Sequence, residues 1–148
     1  MLTPLRLLAF FCLAWSNNSA YGQYIVAERL WDKSDEILLV RILSEEDDSI
    51  SPVINCTYDV QIAILMVYKL TRLDNDVKEL RFARLHKCPE PNVAHDDRLR
   101  QDRQYIVFLM SQQSGAAMNG TIYALSDYVL GIQEYSENLE QFLLGKRD

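Results

Sequence analysis

The chain has 148 residues, 49% of them hydrophobic, and its 21 acidic side chains outnumber its 15 basic ones to give a formal net charge of −6. A chain of this length usually forms one domain with a buried core, and only 5 glycines and 4 prolines exclude fibrous and low-complexity classes. The negative charge argues against nonspecific nucleic-acid binding, because that binding depends on neutralising phosphates. With 2 histidines and 3 cysteines, the chain has little material for a zinc site or a Cys–His enzyme.

The amino-terminal segment predicts a cleaved secretory leader. Arg6 and the free amine give a positive start, residues 7–15 form an apolar core, and Ala20 and Gly22 place small residues at −3 and −1 of a cut before Gln23. The alternative is a membrane anchor, but this core has about half of the ~20 apolar residues that a transmembrane helix needs. No later stretch reaches that length without a charge. We therefore expect the protein to be secreted, with no membrane span.

Removal of residues 1–22 as a signal peptide would leave residues 23–148 as a single domain. The mature chain would have 126 residues, 22 fewer than the full sequence, and a net charge of −7, because one basic residue and no acidic residue is lost. Cys12 would also be lost, so Cys56 and Cys88 would remain as a pair in an oxidising compartment. We expect them to form a disulfide; two buried free thiols are the alternative.

Two N-glycosylation sequons fall in the mature part, at Asn55 and Asn119. Asn119 lies in a polar stretch with two glycines that predicts an exposed loop. Asn55 adjoins the expected disulfide, which would limit access to it. Both residues are candidate glycosylation sites.

The mature chain predicts a short helix, five strands and a closing helix. Each strand is an apolar or alternating run bounded by polar segments. The first helix is expected over 24–35 and the strands over 36–43, 57–68, 80–85, 104–110 and 121–125, with an acidic loop over 44–52. The longest strand places six residues on one face: Tyr58, Val60, Ile62, Ile64, Met66 and Tyr68.

The tail predicts an amphipathic helix of about 13 residues. Its apolar residues are spaced 3, 4, 3 and 1 apart, and Gly145 would follow its last turn. These apolar residues are Ile132, Tyr135, Leu139, Phe142 and Leu143. The whole order predicts a mainly β protein: a five-stranded OB-like antiparallel barrel with a short N-terminal helix and a C-terminal amphipathic helix.

The segments DEILLVRIL, TYDVQIAILMVYKL and RQDRQYIVFLM, with Cys88 after the third strand, resemble the netrin-like modules. These modules share an OB-type barrel with the tissue inhibitors of metalloproteinases. The final stretch, MNGTIYALSDYVLGIQEYSENLEQFL, is most similar to the amino-terminal laminin-binding domain of agrin. The resemblance implies a secreted, non-catalytic netrin-like domain that binds an extracellular protein, either a matrix component or a protease.

The resemblance to the agrin domain also implies that apolar residues of the closing helix contact the partner. The candidates are Tyr135, Leu139, Phe142 and Leu143. Alternatively, these side chains only cap the barrel. The sequence does not decide which of them face outward, and it leaves the oligomeric state open.

A secreted metalloprotease inhibitor is the alternative function. The resemblance to the tissue inhibitors implies a particular mechanism: the mature chain of those inhibitors begins with a cysteine, and the amine and carbonyl of that cysteine bind the zinc of the protease. Here the mature chain would begin with Gln23, whose own cyclisation would consume that amine. An inhibitor of this sequence would therefore need another surface.

Other chemistry-bearing residues predict no enzyme, cofactor or metal site. A small secreted hydrolase would need His86 or His95 beside a nucleophile, and no GxSxG or HExxH motif occurs. The arginines of 98–103 alternate with aspartates, which does not favour a nucleic-acid site. The acidic run 45–48 lacks the pattern of a calcium loop.

Overall fold

The computed structural model describes residues 21–47, 55–87, 98–113 and 121–148, which form two helices and six strands. Helix α1 covers 21–33. The other elements are β1 (Glu36–Asp47), β2 (Asn55–Lys69), β3 (Glu79–Lys87), β4 (Gln104–Gln113), β5 (Thr121–Leu125), β6 (Ile132–Glu134) and α2 (Glu137–Arg147). The first strand is longer than predicted, because residues 44–47 of the expected acidic loop still pair with β2.

The strands form a closed barrel in the order β1-β2-β3-β5-β4, and β4 returns to pair with β1. This arrangement confirms the predicted OB-like barrel. The β3–β5 pairing departs from the antiparallel expectation: it is parallel and joins Phe82 to Tyr123 and Ala83 to Ala124. The barrel is therefore mixed. The short β6 also pairs with β4, in the register that sets Tyr105 opposite Glu134.

The barrel interior contains one of two hydrophobic cores. Strand residues point alternately to the two faces of a sheet, so every second residue enters this core. Its buried members are Leu38, Val40, Ile42, Val60, Ile62, Phe82, Tyr105, Val107, Leu109, Tyr123 and Leu125.

The second core lies outside the barrel, where both helices cover the outer faces of β1 and β4. Its buried members are Ala27, Leu30, Ile37, Leu39, Tyr68, Ile106, Phe108, Leu139 and Leu143. The alternate residues of β1 and β4 that point away from the barrel interior are therefore buried as well. This explains why both strands are continuous apolar runs in the sequence. Among the described residues, neither helix is long and apolar enough to cross a membrane.

A β-bulge at Leu65 divides β2 into two parts that face opposite ways. Leu39 pairs with Met66 and Val40 with Ile64, so Leu65 has no partner on β1 and is 45% exposed. The prediction that the even-numbered residues from Tyr58 to Tyr68 share one face is therefore wrong. Val60 and Ile62 enter the barrel, whereas Tyr68 lies in the second core.

The closing helix begins later than predicted, at Glu137, and continues through Gly145 to Arg147. Ser136 has extended backbone angles and caps the helix, because its hydroxyl oxygen accepts the N–H of Leu139. Ile132 belongs to β6 and not to the helix, since hydrogen bonding to β4 holds that segment extended. The prediction that Gly145 follows the last turn is wrong.

The buried carboxylate of Glu36 fixes the turn that follows β2. It accepts the backbone N–H groups of Thr71, Arg72 and Leu73 at 3.1, 2.6 and 3.0 Å. Such bonds to a carboxylate are stronger than neutral ones. This turn is therefore tied directly to the beginning of β1.

Candidate functional site

Strands β5 and β6 are two parts of one strand that is interrupted opposite Phe108. The N–H of Ser126 donates to the carbonyl of Phe108 at 2.8 Å, and the N–H of Phe108 donates to the carbonyl of Gly131 at 2.9 Å. One residue of β4 therefore holds both ends of the interruption. Residues 127–130, which we name the tip loop, project between those ends.

The tip loop is closed by hydrogen bonds within itself. The N–H of Gly131 donates to the carbonyl of Asp127 at 2.9 Å, and Asp127 Oδ1 accepts the N–H groups of Val129 and Leu130 at 2.9 and 2.8 Å. These two donors, with a smaller contribution from Arg29, hold the pKa of Asp127 below its ordinary value. The bonds therefore persist to a pH below the ~3.9 at which an ordinary aspartate becomes protonated.

Helix α1 supports the tip loop from one side. Arg29 Nη2 lies 3.3 Å from Asp127 Oδ2, and the hydroxyl groups of Ser34 and Ser126 are 2.7 Å apart. The Ser34 hydroxyl also donates to the carbonyl of Leu30, so it belongs to a satisfied buried network. Leu130 packs against the second core. The loop is thus joined to α1, β4 and the second core.

Two apolar side chains of this fixed loop face solvent. Tyr128 is 57% exposed and Val129 is 83% exposed. Ile25, also exposed, lies one helical turn before Arg29 and so on the same face of α1. Single exposed apolar residues are common on protein surfaces, but here a rigid backbone presents two neighbouring ones. We call Tyr128 and Val129 the apolar patch.

Gly131 is required for this loop geometry, so we expect Gly131→Ala to loosen the loop. A Cβ at this position would lie 2.5 Å from the carbonyl oxygen of Asp127 and 3.1 Å from Leu125 Cβ. Because one obstacle is backbone, the chain must shift, which should lower the free energy of unfolding by about 1–3 kcal/mol. Urea denaturation measures the loss, and faster hydrogen exchange at Val129 and Leu130 would locate it.

Gly145→Ala is the matched control for this prediction. Nothing lies within 4 Å of a Cβ at Gly145, which is inside α2. This substitution should therefore stabilise the protein by up to about 1 kcal/mol. Equal effects of the two substitutions would contradict the steric explanation.

The four partner-binding candidates on the closing segment contact the rest of the protein. Leu139 and Leu143 are fully buried in the second core, and Tyr135 and Phe142 are half-buried against it. The two leucines are therefore not accessible to a partner in this conformation. They act instead as the side chains that fasten α2 to the barrel.

A carboxylate with two phenol donors adds to this attachment. The hydroxyl groups of Tyr68 and Tyr135 donate to the two oxygens of Glu140 at 2.9 and 2.8 Å. Burial, together with the Glu140 carboxylate, raises the pKa of Tyr68. Both phenols stay protonated at neutral pH and serve as donors, so this group of residues is a structural connection.

Several sequence-predicted residues lie outside the described residues, and for others only the backbone is described. Cys88, His95 and Asn119 lie outside them. The backbone of Cys56 pairs with that of His86, and the backbone of Asn55 with that of Lys87, in the β2–β3 ladder. The expected disulfide and glycans therefore stay predictions. Among the residues the structure does describe, no three histidine, cysteine or acidic side chains are grouped to hold a metal ion.

Three exposed arginines of the described surface are paired with acids. Arg81 lies 3.6 Å from Asp59, Arg100 lies 2.8 Å from Asp102, and Arg103 contacts Glu134. Because each of these exposed arginines lies beside an acid, the surface around them carries charges of both signs.

The tip loop is the feature that sequence reasoning missed. Its signal is an aspartate four residues before a glycine, which favours a turn in which the aspartate oxygen accepts nearby N–H groups. The residues around it, SDYVLG, read equally well as a connection between a strand and a helix.

No protein-family model, curated protein or solved structure matches this chain.

Proposed function

We propose that this chain is a secreted, non-catalytic protein-binding module of the netrin-like class that contacts an extracellular protein through the apolar patch. The observation that carries the proposal is the tip loop, which is held at both ends by Phe108 and still exposes Tyr128 and Val129. A preformed loop loses little conformational entropy on binding, because its backbone is already ordered. Tyrosine is also enriched among the residues that dominate binding energy.

The way in which α1 contacts the domain supports the proposed leader and its cleavage site. Tyr21 is 65% exposed, and a Cβ at Gly22 would meet nothing within 4 Å. The contacts of α1 with α2 begin at the next residue, since Gln23 Oε1 accepts the hydroxyl of Ser136 and the ring of Tyr24 lies 5.3 Å from that of Phe142. Of the two described residues before Gln23, neither Tyr21 nor Gly22 therefore contributes a packed side chain that a cut at this point would remove.

Secretion is tested by expressing the full chain in a secreting cell line and measuring the intact mass of the protein in the medium. We expect a chain that begins at residue 23. The mass before and after reduction and deglycosylation would also report the disulfide of Cys56 and Cys88 and the glycans at Asn55 and Asn119. A chain retained in the cell, or one released with residues 1–22, would contradict the proposal.

Binding is tested with the secreted protein immobilised against extracellular-matrix extract. We expect a discrete protein to be captured, and Tyr128→Ser with Val129→Ser to weaken its capture at least tenfold, because loss of a central tyrosine costs about 2 kcal/mol. The captured protein is then purified for titration against both forms.

Leu65→Ser is the matched control, because Leu65 is also an exposed apolar residue but lies on the β2 bulge. It should bind like the wild type. Thermal unfolding of all variants verifies that they are folded. Equal binding by the wild type and the double variant would assign the interface to another surface and contradict the proposal.

A further inference from the structure

The side chain of Gln23 is held at the beginning of α2. Its Oε1 accepts the hydroxyl group of Ser136 at 3.2 Å, and the same hydroxyl oxygen accepts the N–H of Leu139 at 3.2 Å. The residue at the proposed new terminus is therefore next to the residue that caps α2. Tyr24, which follows it, packs its ring on Phe142.

We propose that Gln23 becomes a pyroglutamate in the mature protein and that its lactam carbonyl accepts the hydroxyl of Ser136. The inference rests on the secretion and cleavage proposed above. In this step the α-amine nitrogen of Gln23 attacks Cδ, a C–N bond forms, and the Cδ–Nε2 bond breaks. The neutral α-amine gives up one proton as it becomes the lactam N–H, and Nε2 takes up that proton and leaves as ammonia. No atom is oxidised or reduced, so no other reactant is consumed.

The hydrogen bonding of Gln23 fits this reaction. The oxygen that the reaction retains is the atom bonded to Ser136. Among the described residues, Nε2, the atom that the reaction removes, has no hydrogen bond to any protein group. The reaction therefore removes an atom without a partner and retains the oxygen that accepts the Ser136 hydroxyl in the open side chain.

The helix dipole favours the cyclised form. Without cyclisation, cleavage would place a protonated amine at the first residue of α1, where the unpaired N–H groups of the first turn already carry partial positive charge. The lactam nitrogen is neutral. Cyclisation thus removes a like-charge repulsion at the end of the helix.

The test is peptide mapping of the full chain after secretion from cultured cells. We expect an amino-terminal peptide that begins at residue 23, is lighter than its sequence by one ammonia and resists Edman degradation. Gln23→Asn is the matched control, because its side chain keeps the amide but is one methylene too short for the same five-membered ring. It should give an unblocked terminus.

A stability comparison tests the contact with Ser136. We expect a lower melting temperature for Gln23→Asn than for the cyclised wild type, and a smaller difference between the same two forms in a Ser136→Ala background. A free α-amine on Gln23 would overturn cyclisation while leaving secretion established. A mature chain that starts elsewhere, or is not secreted, would overturn both proposals. An unchanged difference in the Ser136→Ala background would overturn the contact.

Discussion

Phe108→Ala should lower the free energy of unfolding by about 3–5 kcal/mol and should also release the tip loop. The ring of Phe108 is fully buried in the second core, and its backbone holds Ser126 and Gly131. Truncation leaves a cavity under the helices, and the neighbouring backbone relaxes into it only in part. Urea denaturation measures the loss, and hydrogen exchange at the amides of Val129 and Gly131 measures the release.

Phe82→Ala is the control that separates these two effects. Phe82 is almost fully buried, but it lies in the barrel interior on β3, away from α1. We expect a similar loss of stability with no selective increase in exchange at the tip loop. If both variants released the loop equally, its order would depend on global stability and not on Phe108.

Arg84→Met should lower the free energy of unfolding by about 3 kcal/mol, because it leaves a buried carboxylate without its cation. Arg84 Nη1 lies 2.5 Å from Glu45 Oε1, and only 11% and 4% of the two side chains are exposed. Glu45 also accepts the N–H of Leu99 at 2.6 Å, so it attaches the segment before β4 to β1. Chemical denaturation measures the loss.

A second substitution and a second arginine test the cause. Arg84→Met with Glu45→Gln removes both charges and should recover most of the stability, since the amide oxygen can still accept the N–H of Leu99. Arg81→Met, on the same strand, removes an exposed pair with Asp59 and should change stability by at most about 1 kcal/mol. No recovery in the double variant would contradict the explanation that the unpaired charge of Glu45 causes the loss.

The fold could be predicted because hydrophobic patterns determine which faces are buried. The apolar runs of β1 and β4 arise because both faces of each strand are covered, by the barrel interior and by the helices. Apolar positions spaced three and four apart predicted an amphipathic closing helix, and Leu139 and Leu143 are the residues that α2 buries. These features depend on local periodicity, which a sequence shows directly.

The bulge and the helix boundary could not be predicted in the same way. Leu65 is apolar like its neighbours, so nothing in the pattern shows that it has no partner on β1. Ile132 and Tyr135 happen to continue the helical spacing, although pairing with β4 holds the segment before Ser136 extended. Ser136, followed by Glu137, and the basic residues at the end of α2 were the available signals for the correct boundaries.

The tip loop depends on contacts that are distant in sequence. Arg29 and Asp127 are 98 residues apart, and the bonds that close the interrupted strand come from β4. Periodicity does not report such contacts. Sequence reasoning therefore offered α2 either as a binding element or as a cap of the barrel, and it gave no indication of the exposed tip loop.

Because Phe108 holds both ends of the β5–β6 interruption, the side chains of Tyr128 and Val129 can change without shifting the register of either strand. Asp127, Leu130 and Gly131 maintain the turn, whereas Tyr128 and Val129 point to solvent and are not needed for it. The barrel therefore provides a two-residue display site on a constrained backbone. Residues at these two positions could be randomised to give a library of binding specificities on one scaffold.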